Sequence, residues 1–310
     1  MQPEQTDSHM ENRPNKEQLV SWLCGKLECS CFTEDDCKQH DLTPDKRFSI
    51  MEEAIEKVKR LANGTDQTPF SSEEYMMYFS CAFFFSSIRF YGSYTGILYE
   101  KFIAALQDNI FGVILPTLDG KEDVPLLMEI MDLWSKYKIL AHWLLRFFEP
   151  LRPFCSITRG ANISDVPYKL ICDGVFDPMW SRFRGAVMRL INQERTGIMV
   201  DRDIIKAAIR LFVEVDDKGK RFYYRNFEQV LLTDIDARYT KLAQEWISDC
   251  SFDEYIGQAL DCIDMEETRM VYYLPRNTMA NVVEVMKFEF LEKQTRSVVE
   301  LLFRGGPRSR

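Results

Sequence analysis

Apolar residues recur at three- and four-residue steps over almost the whole chain, and alternating strand patterns closed by hairpin turns are absent. A period of that kind gives each helix one stripe to bury, so the fold class is all-α. In 48–61 the stripe is Ile50, Met51, Ala54, Ile55, Val58 and Leu61, and Asn63-Gly64 stops the helix. Ser71 or Ser72 caps the next helix, with Glu73 and Glu74 in the first turn, where the dipole favours acids. That second helix carries Tyr75, Met76, Met77, Tyr78, Phe79, Ala82, Phe83, Phe84 and Phe85, apolar on nearly every side. Either it is a central core helix, or it buries one face and docks a partner on another.

Further helices are expected over 94–118, 124–151, 178–195, 201–215, 222–249, 252–274 and 278–303, punctuated by Gly92, Gly120, Pro150, Pro153, Gly197 and Pro275. The 222–249 helix alone would span ~40 Å, which favours an elongated stack over a ball. A less apolar stretch at 158–167 divides the chain into two multi-helix blocks.

At 310 residues with 46% hydrophobic and 28% charged residues, the chain can bury a sizeable core. Its formal net charge of −9 argues against a general phosphate-tracking surface, so no nucleic-acid partner is expected. The strongest apolar runs, 81–88 and 139–148, fall far short of a bilayer span, so no membrane partner is expected either. The N-terminus is polar and lacks the apolar core of a secretory signal. Nine cysteines, an odd number, suit free thiols in a reducing compartment, hence a cytoplasmic or nuclear location.

The search for catalytic motifs is negative: no HExxH, no P-loop, no GxGxxG and no GxSxG. Of three histidines, His9 and His40 lie in the N-terminal tail, and His142 sits in a helical run where a structural role is the simpler reading. Cys24, Cys29, Cys31, Cys37 and His40 lack the paired spacing of common zinc sites and read as free thiols in a loosely ordered tail. The ending Arg304-Gly-Gly-Pro-Arg-Ser-Arg310 reads as a glycine helix stop and a basic end. No enzyme activity, cofactor or metal is expected.

Glu194-Arg-Thr-Gly-Ile-Met-Val-Asp-Arg202 resembles a stretch that joins two helices in the cullin repeats of ubiquitin-ligase scaffolds. Phe222-Tyr-Tyr-Arg-Asn-Phe-Glu-Gln-Val-Leu-Leu232, then Tyr239, Trp246, Cys250, Tyr255 and Arg269, and Tyr272-Tyr-Leu274 are similar to the same family in the same order. Upstream, Ser72-Glu-Glu-Tyr-Met-Met-Tyr-Phe79 resembles the second helix of plant cullins of the F-box (SCF) class. Leu98 to Lys101, Trp134 to Lys138 and Trp143 to Phe148 fit as well. The likeness covers roughly 48–303.

The resemblance implies an elongated stack of cullin repeats that scaffolds without catalysing. It implies a polar, cysteine-containing extension over 1–45, a first, adaptor-binding repeat over 46–163, a second over 164–275, and the start of a third with a basic tail over 276–310. The C-terminal cullin-homology domain is then missing, so no RING protein is expected. The expected partner is a SKP-family adaptor and, through it, F-box proteins. Carried over by position, the adaptor contacts are Tyr75, Met76, Phe79, Ala82 and Phe83 on the second helix, with Trp134, Tyr137, Lys138 and Ile139 on a later one. The chain departs from the family pattern at Cys81-Ala-Phe-Phe-Phe85, where the family carries more polar positions. A helical-repeat protein that has lost adaptor binding is the alternative. The 278–303 helix is further expected to leave Val282, Val283, Met286, Phe290 and Val298 on an exposed apolar face that drives self-association.

Overall fold

A computed structural model describes residues 43–86, 94–216 and 222–304. All regular structure among them is helical, with no strand. The cysteine cluster before residue 43 and the 305–310 tail lie outside the described residues. The helices are α1 (Pro44–Ala62), α2 (Ser72–Phe85), α3 (Tyr94–Asn109), α4 (Asp123–Phe147), α5 (Arg152–Arg159) and α6 (Val166–Ile171). They continue with α7 (Asp177–Arg195), α8 (Arg202–Asp216), α9 (Gln229–Asp249), α10 (Phe252–Met270), α11 (Arg276–Lys287) and α12 (Thr295–Arg304). Wider, π-type turns follow α3 at Ile110–Ile114, α6 at Cys172–Phe176 and α11 at Phe288–Glu292, and another precedes α9 at Phe222–Glu228.

The helices cluster into two units, one from residues up to 117 with 132–177, the other from 118–131 with 178 onward. The 158–167 stretch lies within the first unit. It holds the left-handed stop of α5 at Gly160 (φ +59°) and a short 3₁₀ turn at Ile163–Asp165. In the first unit, α1 buries Met51, Ala54, Ile55, Val58 and Ala62, close to the stripe its period predicts. Phe48 stacks on Phe85 with ring centroids 4.2 Å apart, pinning α1 against the end of α2.

In the second unit α7 turns back into α8 through the stretch that carries the family likeness. Gly197 closes α7 with φ +85°, a conformation a Cβ would strain. Asp201 Oδ1 accepts from the Asp203 amide at 2.9 Å and starts α8, while Arg202 Nε reaches back to Glu194 Oε1 at 2.5 Å. Arg195 points into the unit at 1% exposure. Its guanidinium lies 2.9 Å from Asp234 of α9 and 2.7 Å from Glu266 of α10, itself 1% exposed. Arg269 also pairs with Glu266. The motif is therefore a helix corner plus an ionic bolt joining three helices.

The last predicted helix is overturned in two respects. It is interrupted at Lys293-Gln294, and its expected exposed face is instead largely core: Val282, Met286, Phe290 and Val298 are all buried. Phe290 stacks on Trp246 at 5.5 Å with the rings nearly parallel, its carbonyl accepts from the Tyr255 hydroxyl at 2.7 Å, and Val298 packs with Tyr255 and Leu301. The second unit closes over these side chains, so they offer no surface for self-association.

Candidate functional site

The expected contact residues fall on α2 and the later turns of α4. Ser71 caps α2 through a full capping box: its Oγ accepts from the Glu74 amide at 3.1 Å, and Glu74 Oε2 accepts from the Ser71 amide at 2.8 Å. Lys57 of α1 donates to Glu74 Oε1 at 2.6 Å, fixing the start of α2 against α1. The Lys57 hydrogen bond, then the Ser71 amide, hold the Glu74 carboxyl below its ordinary value. A carboxyl lowered by folding contributes stability that is fully present above the ordinary carboxylate range and is lost as pH falls through the lowered folded value. Glu74→Gln should therefore flatten the acid limb of the thermal-stability profile as pH falls through and below the ordinary carboxylate range, with little change once the carboxyl is protonated in both states.

α2 is neither wholly buried nor free. Tyr78, Ser80, Cys81, Ala82 and Phe85 face the core, while Tyr75, Met76, Phe79 and Phe83 are half-buried along the other side. Tyr75 and Phe79 stack one helical turn apart, with centroids at 6.0 Å. Tyr78 is fully enclosed, and burial, followed by Glu53, pushes its phenol up to about 12.

On α4 the exposed row is Ser135, Lys138, Ile139, His142 and Arg146, at helical steps of three and four. Ile139 is 41% exposed on this row. The Arg146 guanidinium lies over both the Tyr75 ring at 5.2 Å and the Trp143 ring at 5.3 Å. Beneath it Tyr75, Tyr78, Phe70 and Trp143 all pack on Phe147, at 4.9–5.8 Å between centroids. The start of α2 and the end of α4 thus meet at Tyr75, Tyr78, Phe147 and Arg146. His142 beside it is held below the ordinary imidazole value, first by partial burial and then by Arg146, so it is neutral at pH 7.

Ala82, Trp134 and Tyr137 do not belong to that surface, because each is buried. Trp134 packs edge-on to Phe176 at 5.7 Å and Tyr168 at 6.1 Å, and Lys138 Nζ lies over its ring at 5.6 Å. The Tyr137 hydroxyl donates to the Pro167 carbonyl at 2.7 Å inside the first unit. Both are structural residues. Tyr137→Phe leaves that carbonyl buried without its donor and should cost about 1–3 kcal/mol in chemical denaturation. Arg146, His142 and Trp143 are the surface residues that positional carry-over missed. The signal was a helical chain of steps: His142 and Trp143 lie three and four residues after Ile139, and Arg146 lies four and three after them.

The model of the cullin alpha solenoid domain matches residues 48–304. The chain belongs to the cullin family. It is 30% identical to Cullin-1 of Oryza sativa subsp. japonica over 82% of its length, and 26% identical to Cullin-2 of Arabidopsis thaliana over the same share. It spans about a third (34%) of each of those cullins. It is also 25% identical to Cullin-like protein 3 of Arabidopsis thaliana, over 77% of this chain and 92% of that protein. The all-α architecture of the described residues is that of a cullin solenoid, and the family likeness reaches across both units of this cullin chain.

Among the described residues of this cullin, no group of three or more His, Cys, Asp or Glu is gathered to hold a metal. No described helix is long and apolar enough to cross a membrane. Burial pushes the Cys81 and Cys155 thiols up to about 11, which leaves them protonated and poor nucleophiles at neutral pH.

Proposed function

We propose that this cullin chain is a non-catalytic scaffold of the ubiquitin-ligase system that docks a SKP-family adaptor, and through it F-box proteins. The docking face is the joined α2–α4 surface. The observation that carries the reading is the meeting of the two helices. Half-buried Tyr75, Met76, Phe79 and Phe83 share one side of α2, Arg146 of α4 is laid over Tyr75, and Lys138 and Ile139 are exposed two turns earlier on α4. Aromatic residues, Met and Arg are enriched at protein interfaces: the aromatics bury large area at low rotamer cost, Met adapts to irregular surfaces, and Arg pairs charge. The resemblance of Ser72–Phe79 to the second helix of SCF-class cullins supports the reading for α2. The Phe83 side chain extends the stripe by one turn beyond Phe79, which favours an adaptor with a longer apolar contact.

The scaffold acts in the cytoplasm or nucleus and performs no chemistry of its own. Where other cullins share the adaptor, this face competes with them in proportion to concentration and affinity.

A pull-down of the purified chain with a SKP-family adaptor tests this, with Tyr75→Ala/Met76→Ala and Ile139→Glu alongside. The first variant thins the stripe, and the second places a charge at an exposed position where the fold has nothing to lose. Each should weaken capture by tenfold or more, about 1.4 kcal/mol, while circular dichroism stays unchanged. A well-folded wild-type chain that captures no adaptor would mean that the cullin fold persists with a different partner surface.

A further inference from the structure

The second unit carries a groove of about 390 Å³ between α9 and the α11 segment. Val285 and Phe288 give it an apolar lining, and Phe288 is 47% exposed there. Leu291, 37% exposed, extends the same row by another three residues. Four carboxylates share the groove: Asp236, Glu284, Glu289 and Glu292. One ammonium of the chain already answers two of them, since Lys293 Nζ lies 2.7 Å from Glu289 and 3.7 Å from Asp236. Glu284 and Glu292 flank the apolar row and are exposed; the remaining cations of residues 276–296 are Arg276, Lys287 and Arg296, none of which lines the groove.

An apolar row bordered by excess negative charge selects its occupant by sign. A second copy of this chain carries a net charge of −9 and is repelled. We propose that this groove docks a cationic amphipathic helix from a protein partner. Its apolar side chains would lie on Val285, Phe288 and Leu291, and its Lys or Arg residues over Glu284 and Glu292. The physics is that of helix-in-groove recognition, with electrostatics setting the sign of the partner and the apolar row its register. This surface lies on the second unit and stands whether or not the α2–α4 face takes an adaptor.

The test uses the full chain and a fluorescent four-turn model peptide with Leu at helical i, i+3, i+4 and i+7 positions and Lys elsewhere, with a Glu-for-Lys twin as control. The Lys peptide should bind with a saturable anisotropy change that weakens with added salt. Phe288→Ser and Glu284→Lys/Glu292→Lys should each weaken it about tenfold or more, at surface positions that leave the melting temperature unchanged. Equal binding of the Glu twin, or binding indifferent to both variants, would overturn the proposal. So would sedimentation showing a homodimer that Phe288→Ser dissociates, because the groove would then belong to a second copy.

Discussion

Replacing Arg195 with methionine should destabilise the second unit by about 3–5 kcal/mol. The guanidinium is 1% exposed and holds Glu266, equally buried, at 2.7 Å and Asp234 at 2.9 Å. Burial by itself works against the charge on Arg195. Glu266, through its charge and hydrogen bond, then Tyr239 and Asp234 favour it, and the net shift is upward. The variant leaves Glu266 inside the unit with Arg269 as its remaining cation, and an under-compensated buried carboxylate is the costly outcome. At roughly 2–4 °C per kcal/mol for a unit of this size, the melting temperature should fall on the order of 10 °C. Adding Glu266→Leu should recover most of the loss, because a buried pair replaced whole by apolar side chains is often neutral. A single variant that melts within a degree or two of wild type would show that the bolt is not under load.

Phe147→Ala carries the second large effect, and it couples stability to binding. Phe147 is fully buried, and Phe70, Tyr75, Tyr78 and Trp143 all lean on its ring. Deleting a core phenylalanine typically costs about 3–5 kcal/mol, through lost transfer energy and the cavity left behind. Here the cavity opens directly beneath Tyr75 and Trp143, the two rings that carry Arg146. Adaptor binding should weaken even at temperatures where the variant is folded, whereas Phe147→Leu, which refills most of the volume, should restore much of both. Chemical denaturation and adaptor affinity measured on the same three proteins separate the effects. Unchanged affinity in a folded Phe147→Ala protein would show that the surface does not depend on its base.

The class of the fold was legible because the 3.6-residue period ran through nearly every segment, and because Asn63-Gly64, Ser71 and Gly197 are stop and start signals with a direct backbone reason. The stripe of α1 was equally plain, since polar residues occupy its other face. α2 was legible as a helix but not in its orientation. Apolar on all sides, it carries no periodic contrast to say that Ala82 turns inward and Met76 outward. On α4, neighbouring positions point about 100° apart, so Tyr137 goes to the core while Lys138 and Ile139 stay outside, and only packing decides between them. Arg146 is the one cation inside the apolar run 139–148. Its role appears only when α2 lies alongside and offers it the face of Tyr75. The π-type turns and the break at Lys293-Gln294 have no strong local residue signal. Burial of Val282, Met286 and Phe290 was missed because their partners, Trp246 and Tyr255 among them, come from α9 and α10.

The most direct test of the adaptor-binding account is amide-hydrogen exchange on the full chain, read with and without a saturating SKP-family adaptor. Docking on the α2–α4 surface predicts slowed exchange over residues 72–83 and 135–146, with the second unit unchanged and the effect absent in Ile139→Glu. Protection elsewhere, or none at all with adaptor bound, would contradict the assignment of that surface.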